Sequence, residues 1–231
     1  MDLTSLQTLN RYRSDRIAAA TITNLDTGSS RVVADGGAIE GVLGQAITAA
    51  LQSGKSASVT VEDTSYFVNA YVPATRIVII GAVHITQALA QMAHLTGFDV
   101  CIIDPRTAFA TTERFAQMDL TADWPEDVLK NRPLDPHTAL VAVTHDPKID
   151  DFPLAEALRT GCFYVGALGS RKTHQARLAR LKDQGLTEAE LARINAPIGL
   201  DIGAATPAEI AVAILAEIIS TLRSGKPSLS R

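Results

Sequence analysis

The pattern of hydrophobic and polar positions changes period near residue 76. Upstream, short alternating runs dominate. Residues 17–22 read as a strand and residues 31–33 as its partner, across a turn at 24–30 rich in Asp, Gly and Ser. Gly36-Gly37 follow. Residues 38–52 then place Ile39, Val42, Leu43, Ala46, Ile47, Ala50 and Leu51 at helical spacing, and Gly54 ends the run. Residues 58–61 and 66–71 alternate as a hairpin, and residues 1–15 form a short polar helix or a frayed end. Together these predict a small α+β unit over residues 1–73, with Pro73-Ala74-Thr75 as linker.

Downstream, apolar runs alternate with helical stretches. Residues 77–80 form a β-branched run broken by Gly81. Residues 84–96 put Leu89, Met92, Ala93 and Leu95 on one helical face, and Gly97 stops them. A second strand, 100–103, ends at Asp104. A more polar stretch, 105–137, holds a short helix at 125–131, and a third strand at 140–143 ends in Thr144-His145-Asp146. A helix at 151–160 stops at Gly161, and a fourth strand, 163–165, leads through Gly166 into Gly169-Ser170-Arg171-Lys172. A basic helix runs to about Gln184 before Gly185. Residues 187–194 read as a short helix opened by a capping box of Thr187 and Glu190. The last helix has Thr206 as cap, Pro207 at its first position, Glu209 three residues after the cap, and Ile210, Ile214, Ile218 and Leu222 at successive i+4 steps; Gly225 and Pro227 end it. Residues 76–231 therefore predict an α/β domain, a Rossmann-like parallel sheet with helices on both faces.

Ligands of an open parallel sheet bind at the carboxyl ends of its strands. That rule gathers Gly81, Val83 and His84 from the first strand, Asp104 and Arg106 from the second, and Thr144, His145 and Asp146 from the third. The fourth contributes Gly166, Gly169, Ser170, Arg171 and Lys172. The segment 197–203, with Gly199, Asp201 and Gly203, is expected to fold over the same edge. Asp104 stands at the strand tip where a ribose-binding acid belongs. Arg106 either meets a phosphate or is solvated. A neutral His84 at a helix start suits a ligand hydrogen bond. His145 and Asp146 either orient one another or form a turn. The 169–172 stretch opens a helix with two cations, which suits an anion. The turn departs from Gly-x-Gly-x-x-Gly: positions 81, 83 and 86 are Gly, Val and Thr. Val83 fills the space through which the backbone would approach a diphosphate.

Composition narrows the field. The net charge of -4 argues against general nucleic-acid binding. No apolar run reaches about 18 residues, so no membrane span is expected. The N-terminus lacks a basic segment followed by an apolar core, which predicts a cytoplasmic protein. The two cysteines, Cys101 and Cys162, sit in or beside strands and do not have metal-ligand spacing.

The chain resembles the XdhC/CoxI family, the accessory factors of xanthine dehydrogenase and related molybdenum hydroxylases. The resemblance rests on residues 81–84, 100–106, 143–146, 164–172, and 197–203 followed by 206–210. It departs from the family at Val83, where the family has glycine, and at Ala38, where a Gly-Gly-Cys-Val-Glu-like stretch would carry cysteine. The resemblance implies a chaperone that binds the molybdenum cofactor, a pyranopterin or its cytosine dinucleotide form. It further implies that the protein assists sulfuration of that cofactor and its insertion into an apo molybdenum hydroxylase. A cysteine desulfurase partner and a homodimer belong to the same expectation. Two other readings stay open: an NAD(P)-dependent oxidoreductase, and a non-catalytic assembly subunit with a vestigial nucleotide pocket.

Overall fold

The computed structural model describes residues 1–37 and 39–224. The chain divides into two compact units, Met1–Pro73 and Ala74–Arg231. The first contains α1 (Leu3–Ser14), β1 (Ala19–Asn24), β2 (Ser30–Ala34), α2 (Gly41–Ser53), β3 (Ala57–Val61) and β4 (Thr64–Tyr71). Its strands form an antiparallel sheet in the order β2-β1-β4-β3. The core is Ala20, Ile22 and Val68 of the sheet packed with Leu43, Ile47, Ala50 and Leu51 of α2. Two expectations shift here. Strand β1 begins at Ala19 and leaves Ile17 exposed. Helix α2 begins at Gly41, so Val42, expected on the buried stripe, faces solvent. The expected first residue of that helix, Ala38, lies outside the described residues.

The second unit runs β5 (Arg76–Ile80), α3 (His84–Leu95), β6 (Asp99–Ile103), β7 (Asp119–Thr121), α4 (Pro125–Asn131), β8 (Thr138–Ala142), α5 (Pro147–Arg159), β9 (Tyr164–Ala167), α6 (Arg171–Asp183), α7 (Glu188–Leu191), β10 (Ile194–Asn195) and α8 (Pro207–Ser224). Its six strands are parallel, in the order β10-β9-β8-β5-β6-β7. Alternation along β5 sorts the two faces. Ile77 and Ile79 join Leu89 and Ala93 of α3 and Ile214 and Ile218 of α8. Val78 and Ile80 join Leu154 and Leu158 of α5 and Leu181 of α6. Both faces are covered, which is why these strands read as unbroken apolar runs.

Four differences have physical causes. Leu95 is solvent-exposed rather than on the α3 face, because six residues after Leu89 turns it away from that stripe. Helix α5 starts at Pro147, four residues earlier than the expected start at 151, because Asp146 caps it and Pro147 supplies the first position. The helix expected over 187–194 ends at Leu191, and Ile194–Asn195 becomes the edge strand β10, paired with Val165 and Gly166. Strand β7 emerges from the polar stretch after β6, where three residues give no readable alternation. Gly225 and Pro227, expected to end α8, lie outside the described residues.

Gly166 tests the packing of β9 directly. A Cβ there would stand 2.6 Å from both Ile198 Cδ1 and Tyr164 Oη. Gly166→Ala is expected to cost about 1–3 kcal/mol of unfolding free energy. Chemical denaturation with an unchanged midpoint would contradict this packing.

Candidate functional site

Strands β5 and β8 lie side by side, yet their chains leave the sheet to opposite faces. Helix α3 follows β5 onto one face and α5 follows β8 onto the other. Numbered from β5, the order is 6-5-4-1-2-3, so the reversal of a dinucleotide-binding sheet falls between these two strands. Their tips touch. Gly81 has φ 120°, and a Cβ on it would lie 2.9 Å from Thr144 Cγ2. Glycine is required here twice over, by backbone sign and by space.

The first turn is held from both sides. Asp104, fully buried at the tip of β6, accepts the N–H of Ala82 at 2.7 Å. The same carboxylate receives the Arg106 backbone N–H at 2.9 Å and both Nε and Nη2 of its guanidinium, at 2.9 and 2.8 Å. Arg114 donates to the carbonyl of Ala82 at 2.9 Å. Burial alone would raise the Asp104 carboxyl, but the hydrogen bonds from Arg106 and Ala82 outweigh it and hold it below the usual range. The reading of Asp104 as a ribose acceptor therefore meets a carboxylate turned inward with both oxygens engaged. Arg106, partly exposed, is not free: it grips Asp104 and lies over the Phe109 ring at 4.5 Å. Val83 takes the N-cap position of α3 in extended backbone, and His84 is the exposed first residue of the helix.

Beyond β8 the chain turns sharply. His145 is exposed with φ 65°, a left-handed conformation. Buried Asp150 of α5 stabilises that turn, accepting Thr144 Oγ1 at 2.7 Å and the His145 N–H at 3.1 Å. Burial pushes the Asp150 carboxyl up to about 6, against the pull of Thr144, the Arg177 charge and His145. Asp146 does not orient His145; its carboxylate caps α5 at the Lys148 N–H, 3.0 Å. The turn after β9 opens α6. Gly169 has φ 139°, Ser170 caps the Thr173 N–H at 3.2 Å, and Arg171 and Lys172 are exposed.

The segment 197–203 crosses the end of β9 toward α8. Ile198 covers Gly166, and the Leu200 N–H reaches the Ala213 carbonyl at 3.2 Å. Glu217 of α8 ties it down, accepting Tyr164 Oη at 2.6 Å and the Gly199 N–H at 2.9 Å. Asp201 and Gly203 are exposed. The sheet edge thus gathers residues 81–84, 104–106, 144–146 and 169–172, while Gly166 and Gly199 serve packing beneath it. Sequence reading missed Asp150, Arg114, Glu217 and Arg177. The last left one signal: Arg177 precedes buried Leu181 by four residues, so it belongs to the apolar stripe of α6. Elsewhere, concavities of about 420 and 260 Å³ flank α2, sharing Ile39, Gly44 and Thr48 in their walls, and contain none of the sheet-edge residues.

Fold and site together define a dinucleotide-binding-type α/β domain with a modified first turn. The XdhC Rossmann domain matches residues 77–218, and the chain belongs to that family. It is 32% identical to a probable xanthine dehydrogenase subunit of Bacillus subtilis, over 69% of this chain and 47% of that one. It is 32% identical to the molybdenum cofactor insertion chaperone PaoD of Escherichia coli, over 64% of this chain and 40% of that one. The uncharacterized protein YqeB of Escherichia coli is 32% identical over 67% of this chain and 29% of its own length. The chain thus spans less than half the length of these curated relatives. A crystal structure described as a xanthine dehydrogenase from Bacillus halodurans superposes with a TM-score of 0.60 at 26% identity, covering 99% of this chain and 68% of that one. No described helix is long and apolar enough to cross a membrane.

Asp150 gives this edge a pH signature. Its folded-state proton is held up to about pH 6, above the ordinary value of 3.8, so ionisation opposes folding. That cost is absent below about pH 4 and fully present above about pH 6, and is on the order of 3 kcal/mol. Asp150→Asn removes it. The unfolding free energy of wild type minus that of the variant, followed by denaturant titration at each pH, is expected to fall as pH rises from 4 to 7. A difference that stays flat across this range contradicts a buried titrating carboxyl.

Proposed function

We propose that this chain is the core of a maturation factor for molybdenum hydroxylases. It binds the molybdenum cofactor as cargo at the carboxyl edge of the second unit's sheet and passes it to an apo-hydroxylase of the xanthine dehydrogenase type. The observation that carries this reading is the family match over residues 77–218, which takes in every strand-edge loop. Two relatives, one named as a molybdenum cofactor insertion chaperone and the other as part of a xanthine dehydrogenase, support it. In this reading Met1–Pro73 and the Rossmann-like region act as separate domains, the second carrying the cargo site.

The cargo is a pyranopterin with a phosphate at one end and the metal at the other, so its holder needs an anion site and a polar wall. The first turn fits the phosphate poorly: the Ala82 N–H is committed to Asp104, and Val83 stands where the second glycine would be. The turn into α6 fits better. Gly169 adopts φ 139°, the N-terminal end of a 13-residue helix lies behind it, and Arg171 and Lys172 are exposed beside it. His84 and His145, both exposed, would face the pterin ring with hydrogen-bonding nitrogens. The same geometry disfavours the nicotinamide reading, which needs the phosphate on the first turn and the ribose on Asp104.

Sulfur handling calls for a second protein. Both cysteines of the chain, Cys101 and Cys162, are buried, and burial pushes each thiol up to about 11. A thiol so held is a poor nucleophile at neutral pH. Sulfur for the cargo would come from a separate cysteine desulfurase. Homodimer formation is part of the same proposal.

Protein purified from its own host, then oxidised, is expected to release a fluorescent pterin. The double variant Arg171→Ala, Lys172→Ala is expected to retain at least about tenfold less, at unchanged thermal stability. Absence of pterin from the wild type, with normal hydroxylase activity in a deletion strain, would overturn the proposal.

A further inference from the structure

Among the described residues, four buried side-chain atoms have no hydrogen-bond partner. Three of them belong to one face of α6: Nδ1 of His174 and Nε and Nη1 of Arg177. The fourth, Thr221 Oγ1, is on α8. Arg177 is 2% exposed and among the largest fully buried side chains. Its Nη2 donates to the Leu168 carbonyl at 2.9 Å and would lie 3.8 Å from a Cβ placed on Gly169. The guanidinium therefore rests against the turn that opens α6. His174, three residues earlier, shares that face, and side chains on a helix lean toward its N-terminus. Asp150 and Asp151 act on the Arg177 charge through space. Buried donors without partners are rare, and a cluster of them calls for a water or a ligand that completes them.

We infer that Arg177 and His174 form the inner wall of an oxyanion site at the N-terminus of α6, which takes a phosphate or diphosphate group. The exposed Arg171 and Lys172 stand at its mouth. Arg177 donates through Nε and Nη1, and the Arg171 and Lys172 N–H groups, which have no carbonyl partner within the helix, lie at the same helix end. Entry requires the 168–170 turn to yield the hydrogen bond between Arg177 and Leu168. Asp150 is the rival anion: while the group is absent, it balances the guanidinium. The inference deepens the reading above by naming the receptor for the cargo's phosphate, and it rests on that reading only for which molecule carries the phosphate.

The test is calorimetric titration of the full chain with inorganic pyrophosphate and with inorganic phosphate, alongside the pterin released from host-purified protein. Wild type is expected to bind pyrophosphate. Arg177→Met, which keeps the packing and removes the donors, is expected to weaken binding at least about tenfold, and Arg177→Lys to restore part of it. Asp150→Asn, which keeps one acceptor for the His145 turn, is expected to bind at least about threefold tighter, because the competing charge is gone. No binding by wild type overturns the site, as does an Arg177→Met variant that binds like wild type; internal water then completes the guanidinium. Should Arg177→Met fail to fold, Asp150→Asn decides alone, and unchanged or weaker binding overturns the site. Arg177-dependent pyrophosphate binding without retained pterin leaves the site standing and removes the cargo reading. Retained pterin without Arg177-dependent binding does the reverse.

Discussion

The buried carboxylate of Asp104 is the constraint on which the rest of the sheet edge depends. It reaches across from the tip of β6 to the N–H of Ala82 and is answered there by the guanidinium of Arg106. A carboxylate with no exposure is tolerable only because every one of these donors is present. Removing any one leaves a charged acceptor short of a partner inside the sheet. The lock also has a functional consequence. It uses the donor that a dinucleotide-binding turn ordinarily offers to a diphosphate, and Arg114 closes the other side of the same residue at the Ala82 carbonyl. In the proposed reading the cargo's anion takes its donors elsewhere on the edge, at the turn into α6 two strands away.

Gly81 and Val83, the first and second positions of the glycine fingerprint, answer to different constraints in this chain. Gly81 answers to Thr144 across the strand boundary, a packing demand independent of any ligand. Position 83 caps α3 in ordinary extended backbone, which valine adopts without strain. The two positions look like parts of one fingerprint, but they are governed by different neighbours. A similar division runs through the glycines nearer α8. Gly166 and Gly199 make room for Ile198 and Ala213, so their role is to seat the 197–203 segment beneath the edge.

Much of the architecture was legible. The apolar runs at 77–80, 100–103 and 140–143 identified the central strands because burial on both faces removes alternation. The caps at Thr187 and Thr206 were readable because capping chemistry is local. Short edge strands were not: β7 and β10 owe their existence to neighbours already in the sheet, and two or three residues carry no period. The site was legible as a set of loops but not as a set of roles. Asp104 stood where a ribose acceptor belongs, and only its partners reveal that it faces inward. Asp150 lay before the expected helix start at 151 and Arg177 within a helix read as basic, and burial of a charge leaves almost no mark in sequence. What determines each of these roles is contact with a residue far away in the chain.

The central claim is that the cargo's phosphate is held on the α6 side of the switch point while the first turn stays locked by Asp104. Hydrogen–deuterium exchange of the full chain, with and without bound molybdenum cofactor, tests it most directly. The account predicts cofactor-dependent protection across residues 168–177, with backbone exchange at 81–84 unchanged. Protection centred on 81–84, with none at 168–177, would contradict it.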